Sequence, residues 1–95
     1  MQYKVKLTTK FKKDLKLAQK QHRNIERLKV VVDILKSGNK LPPEYDDHQL
    51  KGTYSHAREC HIENNWVLVY EYDDDVLILS LLRLGTHSQV FKSNY

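Results

Sequence analysis

Three histidines lie in segments whose neighbouring residues suit proton transfer: His48 in DDHQLKG, His61 in RECHI and His87 in RLGTHSQVF. An imidazole titrates at about pH 6.5, so it can accept or donate a proton at neutral pH. Cleavage of RNA without a metal needs a base for the 2′-hydroxyl proton and an acid for the leaving 5′-oxygen. The three histidines are therefore candidate catalytic residues, and their positions in the sequence do not tell acid from base.

Two charged side chains accompany these histidines. Arg83 lies four positions before His87, and its planar, permanently charged group suits the charge that grows on a phosphate during cleavage. Alternate side chains of a β-strand share a face, so Glu59 is expected to point the same way as His61. We therefore add Arg83 and Glu59 to the candidate catalytic residues.

Aromatic side chains supply a second part of the pattern, because unpaired RNA bases are usually held by stacking on aromatic rings. Trp66, Tyr54 and Phe91 are the candidates for stacking, and Lys51 in DDHQLKG is a further RNA-binding candidate. Core packing is the strongest competing interpretation for Trp66, because this residue begins the apolar run WVLVY.

Other interpretations of these residues remain open. Three histidines from separate segments suit one zinc ion, but their spacing matches no compact zinc motif, so no metal is expected. Each histidine is otherwise a surface or packing residue, which is the interpretation that we accept for His22 and His56. Residues 73–75 are better explained as an acidic hairpin turn than as a calcium site. Cys60 is better explained as a buried strand residue than as a nucleophile.

Charge is distributed unevenly along the chain. Residues 1–30 contain ten Lys and Arg and two acids, a net charge of +8, whereas the remainder contains six and ten, a net charge of −4. A basic segment of this kind indicates a polyanion or an acidic protein as partner, or simply a solvated helix face. The cations of this segment that we consider RNA-binding candidates are Lys10, Lys12, Lys13, Lys16, Lys20, Arg23 and Arg27.

Length and hydropathy limit the class of protein. A chain of 95 residues is expected to form a single domain, residues 1–95. No apolar run reaches the roughly 18 residues that span a bilayer, and the start MQYKVKLTTK lacks the apolar stretch of a signal peptide. A small secreted domain would more often contain paired cysteines than the single Cys60. We expect a cytoplasmic protein without a membrane partner.

Hydrophobic periodicity predicts the elements that position the candidates. Residues 2–7 alternate as in a strand, and Thr8 or Thr9 can cap a helix that follows. Asn24 can cap a second helix, which is expected to end near residues 37–38, where Gly38 suits a left-handed cap. The two helices form a hairpin that is basic outside and apolar inside.

Three further strands are predicted at residues 56–62, 66–72 and 76–84. Their short connections require antiparallel pairing. The third run, VLILSLLRL, is almost entirely apolar, so we place it centrally and expect it to be buried on both faces. The predicted fold class is α+β, with the N-terminal strand and the helical hairpin packed on one face of a small antiparallel sheet and the other face left concave.

Four segments in order, DHQLKG, RECHI, WVLVY and LLRLGTHSQVF, resemble the YafQ-type branch of the RelE toxin superfamily. The resemblance implies a RelE-like fold and a ribosome-dependent endoribonuclease that cuts mRNA in the ribosomal A site without metal or other cofactor. It also implies the toxin half of a bacterial toxin–antitoxin pair. The implied partners are the ribosome, its mRNA and an acidic antitoxin with a ribbon-helix-helix part.

Residue by residue, the resemblance assigns the catalytic histidines to His48, His61 and His87. It assigns the strand acid, the arginine, the tryptophan and the terminal aromatic residue to Glu59, Arg83, Trp66 and Phe91. One position departs from the pattern, because Asn65 stands where this branch often has aspartate. This departure leaves a non-catalytic RNA- or ribosome-binding module as an alternative, and a plain protein-interaction domain that docks through the basic hairpin is another.

Overall fold

The computed structural model describes residues 2–91, which form five strands, three α-helices and two short 3-10 turns at Pro43–Tyr45 and Gly52–Tyr54. In chain order the elements are β1 (Lys4–Leu7), α1 (Thr9–Lys20), α2 (Ile25–Lys36), β2 (His48–Gln49), β3 (Arg58–Glu63), β4 (Trp66–Asp73), β5 (Ile78–Gly85) and α3 (His87–Val90). Within residues 2–91, no helix is long and apolar enough to cross a membrane.

The strands form one sheet in the order β1-β5-β4-β3-β2. The predicted α+β class is confirmed, but the sheet is mixed, since β1 pairs with β5 in parallel while the other pairs are antiparallel. The whole chain between β1 and β5 serves as the crossover connection that a parallel pair requires.

The strand predicted at residues 76–84 is present as β5 and is paired on both sides, but it begins at Ile78 and is not the middle strand of the sheet. β4 occupies the centre of the sheet, and the side chains of its first five residues are all buried. Val76 lies outside any strand with 59% of its surface exposed. The apolar run therefore predicted the strand, but it did not reveal the strand's position in the sheet. On one side β5 pairs only with β1, which is short and exposed.

Both predicted helix caps are present. The Thr8 hydroxyl accepts a hydrogen bond from the Phe11 N–H at 3.1 Å, and the Asn24 side chain accepts one from the Arg27 N–H at 3.1 Å. Each cap satisfies a backbone donor that has no partner within the helix. The two helices cover one face of the sheet, where the main core consists of Phe11, Ala18, Leu28, Val31, Leu35, Cys60, Ile62, Trp66, Leu68, Tyr70, Leu79, Leu81 and Leu84, with Tyr45.

The opposite face of the sheet, which was expected to be concave and is called the concave face below, carries a smaller buried cluster of Ala57, Val67, Val69 and Val90. The short helix α3 ends this face with a capping box, in which Thr86 accepts from the Gln89 N–H and the Gln89 side chain accepts from the Thr86 N–H. A Cβ at Gly85 would approach the Gln89 side-chain oxygen to 2.8 Å. Glycine at this position therefore keeps the cap that places the start of α3, His87, beside the sheet.

Candidate active site

One buried carboxylate lies at the centre of the candidate site. Glu59 is 2% exposed, and its Oε1 atom lies 3.3 Å from Nε2 of His48, 3.2 Å from Nε2 of His61 and 3.4 Å from Nε2 of His87. The structure thus brings together four of the five predicted catalytic residues. These four residues are called the histidine cluster below.

Three different elements supply the histidine cluster. His48 is paired directly with Glu59 across the β2–β3 ladder. His61 lies two residues beyond Glu59 on β3, so strand alternation puts both on one face, as predicted. His87 is the first residue of α3 and reaches the cluster from the far end of β5. Because Glu59 is also paired with Val69, the cluster lies on the concave face.

Hydrogen bonds at Nδ1 orient two of the three imidazoles. Nδ1 of His48 lies 2.8 Å from the backbone oxygen of Asp46. Nδ1 of His87 lies 3.4 Å from Oδ1 of Asn65, and the same oxygen accepts the His87 backbone N–H at 3.3 Å. Both partners are acceptors, so Nδ1 carries the proton and Nε2 faces Glu59.

The exposure of the cluster suits a large substrate. The side chains of His48, His61 and His87 are 44%, 29% and 46% exposed, whereas that of Glu59 is 3% exposed. A carboxylate buried this deeply must be paired or hydrogen-bonded, so it holds the imidazoles together beneath the surface. The imidazole edges remain reachable from the solvent, as an acid–base centre acting on a polymer requires.

The cluster also offers a compact set of metal ligands. One ligand atom each of Glu59, His61 and His87 lies within 4.8 Å of the other two. Two imidazoles and one carboxylate suit zinc and other divalent transition metals. The sequence argument against a metal motif considered spacing along the chain, and it could not detect this set because α3 supplies one member.

The Arg83 guanidinium forms an ion pair, so it is not a free cation. Its Nε lies 2.8 Å from Oδ2 of Asp14 on α1, and its Nη2 lies 3.3 Å from Oδ1. Oδ2 of Asp14 also accepts the Leu84 N–H at 2.9 Å. The hydrogen bond to Asp14 raises the pKa of the Arg83 guanidinium. Arg83 therefore stays charged and is held in place by the first helix, and its catalytic role remains a prediction.

The prediction that Trp66 stacks on RNA is wrong. The Trp66 side chain is 1% exposed and belongs to the main core under the helices. The Arg23 guanidinium carbon lies 5.6 Å from the centre of its ring. Tyr54 and Phe91 differ, because they are half-buried on the concave face with ring centres 6.0 Å apart.

The basic candidates fall into two groups. The lysines of α1 and Lys51 are exposed, as expected of RNA-binding residues: Lys10, Lys12, Lys13, Lys16, Lys20 and Lys51. The two arginines are half-buried instead. Arg23 covers Trp66, and Arg27 donates to the backbone oxygen of Ile62 and pairs with Glu44 at 3.3 Å. Both arginines therefore contribute to packing between the helices and the rest of the chain.

Sequence reasoning missed three residues that support the site. Asn65 was treated only as a loss of charge, but it orients His87. Asp46, whose carboxylate lies 3.8 Å from Nε2 of His61, was not among the candidate site residues. Asp14 was counted as one acid in a basic segment, and nothing local indicates that it binds Arg83, which lies 69 residues away.

A buried carboxylate in contact with three partly exposed imidazoles, on one face of a small α+β domain, is an arrangement that suits acid–base chemistry. The sequence of residues 3–92 matches the family described as a bacterial toxin of type II toxin–antitoxin systems, YafQ. The mRNA interferase toxin YafQ of Escherichia coli K12 is 35% identical over 92 residues, which cover 96% of this chain and 98% of that protein. The chain therefore belongs to the YafQ family.

Solved structures agree with this assignment. The E. coli DinJ–YafQ toxin–antitoxin complex contains a chain that is 35% identical, with a TM-score of 0.86 over 96% of this chain and 99% of that chain. A metal-bound toxin from Helicobacter pylori is 38% identical, with a TM-score of 0.89 over 96% of this chain and 100% of that chain. The predicted RelE-like fold is thereby confirmed.

Proposed function

We propose that this chain is an mRNA interferase: a ribosome-dependent endoribonuclease that cuts mRNA in the A site and so inhibits translation in the bacterial cytoplasm. The observation that carries the proposal is the histidine cluster, in which three imidazoles surround one buried carboxylate. The E. coli relative is named an mRNA interferase, and a metal-free cleavage of RNA needs the acid and base that this cluster supplies.

In the proposed reaction the 2′-oxygen of one nucleotide attacks the adjacent phosphorus and the bond to the 5′-oxygen breaks. His48 or His61 takes the 2′-hydroxyl proton. His87, the first residue of α3, donates a proton to the leaving 5′-oxygen. Glu59 holds the imidazoles in position, and Arg83 supplies positive charge near the end of β5.

We further propose an acidic antitoxin as the partner that restrains this activity. The relative in E. coli is solved in complex with DinJ, and the net charge of +4 favours an acidic partner. The resemblance implies an antitoxin with a ribbon-helix-helix part and a segment that wraps the toxin. That segment should cover the concave face and with it the histidine cluster.

Four exposed lysines of α1 are proposed to bind ribosomal RNA. Lys12, Lys13, Lys16 and Lys20 lie on a helix that covers the opposite face of the sheet from the histidine cluster. Each lost phosphate contact should weaken binding and flatten its salt dependence. Unchanged ribosome affinity at low salt after reversal of three of these charges would contradict this assignment.

The experiment that tests the function is single-turnover cleavage of mRNA on programmed ribosomes, with induced expression in cells as a second readout. We expect cuts within codons and growth arrest, and loss of both in His87→Ala. His56→Ala is the matched control, since His56 is exposed and lies outside the cluster. A protein that binds ribosomes but leaves mRNA intact would favour the alternative of a non-catalytic binding module.

A transition metal is a second proposed occupant of the same site. The H. pylori relative is described as metal-bound, and Glu59, His61 and His87 form a suitable ligand set here. A metal on the two Nε2 atoms would block the positions that must exchange protons with RNA. Metal binding should therefore inhibit cleavage, which is consistent with a reaction that needs no metal.

A further inference from the structure

A concavity lies at the start of α1, outside the histidine cluster. It has a volume of about 290 Å³ and is lined by Thr8, Thr9, Lys10, Tyr54, Leu82 and Arg83. This volume is near the lower end of small-molecule sites. The concavity forms because β1 pairs with β5 only as far as Leu81, so the last residues of β5 run past the end of β1.

Aromatic rings connect this cavity to the histidine cluster. The ring centres of His87 and Phe91 are 6.0 Å apart, and those of Phe91 and Tyr54 are also 6.0 Å apart. Tyr54, Phe91 and Leu82 all pack against the buried cluster of the concave face. Contacts between aromatic rings therefore link Tyr54, which lines the cavity, to His87 of the histidine cluster through Phe91.

The lining of the cavity suits a nucleotide. Leu82 and the ring of Tyr54 offer apolar walls on which the flat face of a base can stack. Lys10 supplies positive charge for a phosphate, and Arg83 adds a guanidinium whose charge is partly offset by its ion pair with Asp14. Asp14 contacts Arg83 from α1 and holds its guanidinium in place at this position.

We propose that this cavity binds the base of a nucleotide that neighbours the scissile phosphate, with Tyr54 and Leu82 against the base and Lys10 and Arg83 at the adjoining phosphate. The inference rests on the proposed RNA-cleaving function and adds a binding subsite to it. A nucleotide held here would fix the register of the RNA strand over the histidine cluster.

The test is a nuclear magnetic resonance titration of the whole chain with trinucleotides that carry 2′-O-methyl groups, which cannot be cleaved because the attacking hydroxyl is blocked. We expect concurrent shifts at His87 and at Thr9, Tyr54 and Leu82. A trinucleotide that lacks one terminal base should lose the cavity shifts and keep those of His87. The base is removed from the 5′ end in one trinucleotide and from the 3′ end in another, so that either direction of the bound RNA is covered.

A cavity-filling variant, Thr9→Trp, provides the second measurement. Thr9 is exposed at the first turn of α1, so the change should leave the fold intact. We expect trinucleotide binding to weaken by roughly tenfold, within the range for loss of one stacked base. Gln19→Trp is the matched control, because Gln19 is exposed near the other end of the same helix, and its affinity should equal that of the parent.

The outcomes separate this inference from the proposed function. Shifts at His87 without shifts at the cavity would overturn the subsite and leave the nuclease proposal standing. Shifts at neither place at millimolar trinucleotide would also overturn the subsite. Cavity shifts in a protein that leaves mRNA intact on ribosomes would support the subsite and contradict the nuclease proposal.

Discussion

Glu59→Gln is the substitution that tests the histidine cluster most directly. The side chain keeps its shape, but the oxygen that lies 3.2–3.4 Å from three Nε2 atoms loses its negative charge. The new amide nitrogen is a donor, so it also competes with imidazoles that donate. We expect the imidazoles to lose the negative charge of their common acceptor and at least one of them to leave its orientation.

The expected loss in cleavage rate follows from the role of the imidazoles as acid and base. General acid–base help is worth about 10²–10⁴-fold in rate, so misplacing one imidazole should lower the single-turnover rate by that factor, about 3–5 kcal/mol in the barrier. Stability should change much less. A buried carboxylate incurs a desolvation cost that its hydrogen bonds offset, so a neutral side chain of similar shape often costs little.

The assay is single-turnover cleavage on programmed ribosomes at saturating protein, with thermal unfolding as the check on folding. Glu63→Gln is the matched control, since Glu63 ends the same strand and is not part of the cluster. The reasoning would be refuted by a folded Glu59→Gln protein that cleaves within threefold of the parent rate. Glu59 would then be a structural anchor for β2, and the acid and base would act without it.

Four further predictions follow. His87→Ala should slow cleavage by about 10²–10⁴-fold while ribosome binding and folding persist, and a rate within threefold of the parent in a single-turnover assay would transfer the general acid role to another histidine. Asn65→Ala should lower the rate by roughly tenfold, the scale of one lost hydrogen bond, and change the ¹⁵N shifts of His87 Nδ1; unchanged shifts would contradict the orienting role. Treatment with a chelator at constant magnesium should leave cleavage intact, and added zinc should inhibit it. Recovery of lost cleavage activity when zinc is added to the chelator-treated protein would overturn this prediction. Burial raises the pKa of Tyr72 from 10.0 to about 12. Because Tyr72 then ionises at lower pH in the unfolded chain than in the folded one, the free energy of unfolding should fall as the pH rises between these values. In urea unfolding, the free energy of unfolding of Tyr72→Phe should depend less on pH in this range.

Local signals in the sequence predicted much of the site. Strand alternation put Glu59 and His61 on one face, and the structure agrees. The caps at Thr8 and Asn24 were predicted because Thr and Asn side chains satisfy the first free N–H groups of a helix. These features depend on residues that are close in the sequence, so a pattern in the chain can reveal them.

Contacts between distant segments were beyond the reach of such patterns. The pairing of His48 with Glu59 depends on the register of a two-residue strand, which no periodicity marks. The burial of Trp66 depends on the helices that cover its face of the sheet, and the ion pair of Arg83 depends on a carboxylate from α1. In each case the partner that decides the role of the side chain lies on another element.

Asn65 is the residue whose meaning changes most between sequence and structure. From the sequence it weakened the catalytic interpretation, because the related branch often has aspartate at this position. In the structure its oxygen accepts from the backbone N–H and from Nδ1 of His87, and an amide oxygen can do both as well as a carboxylate can. The negative charge next to the imidazoles comes from the buried side chain of Glu59 on β3. The one feature that favoured a catalytically inactive module is therefore accounted for by an orienting role, and the remaining geometry favours an enzyme.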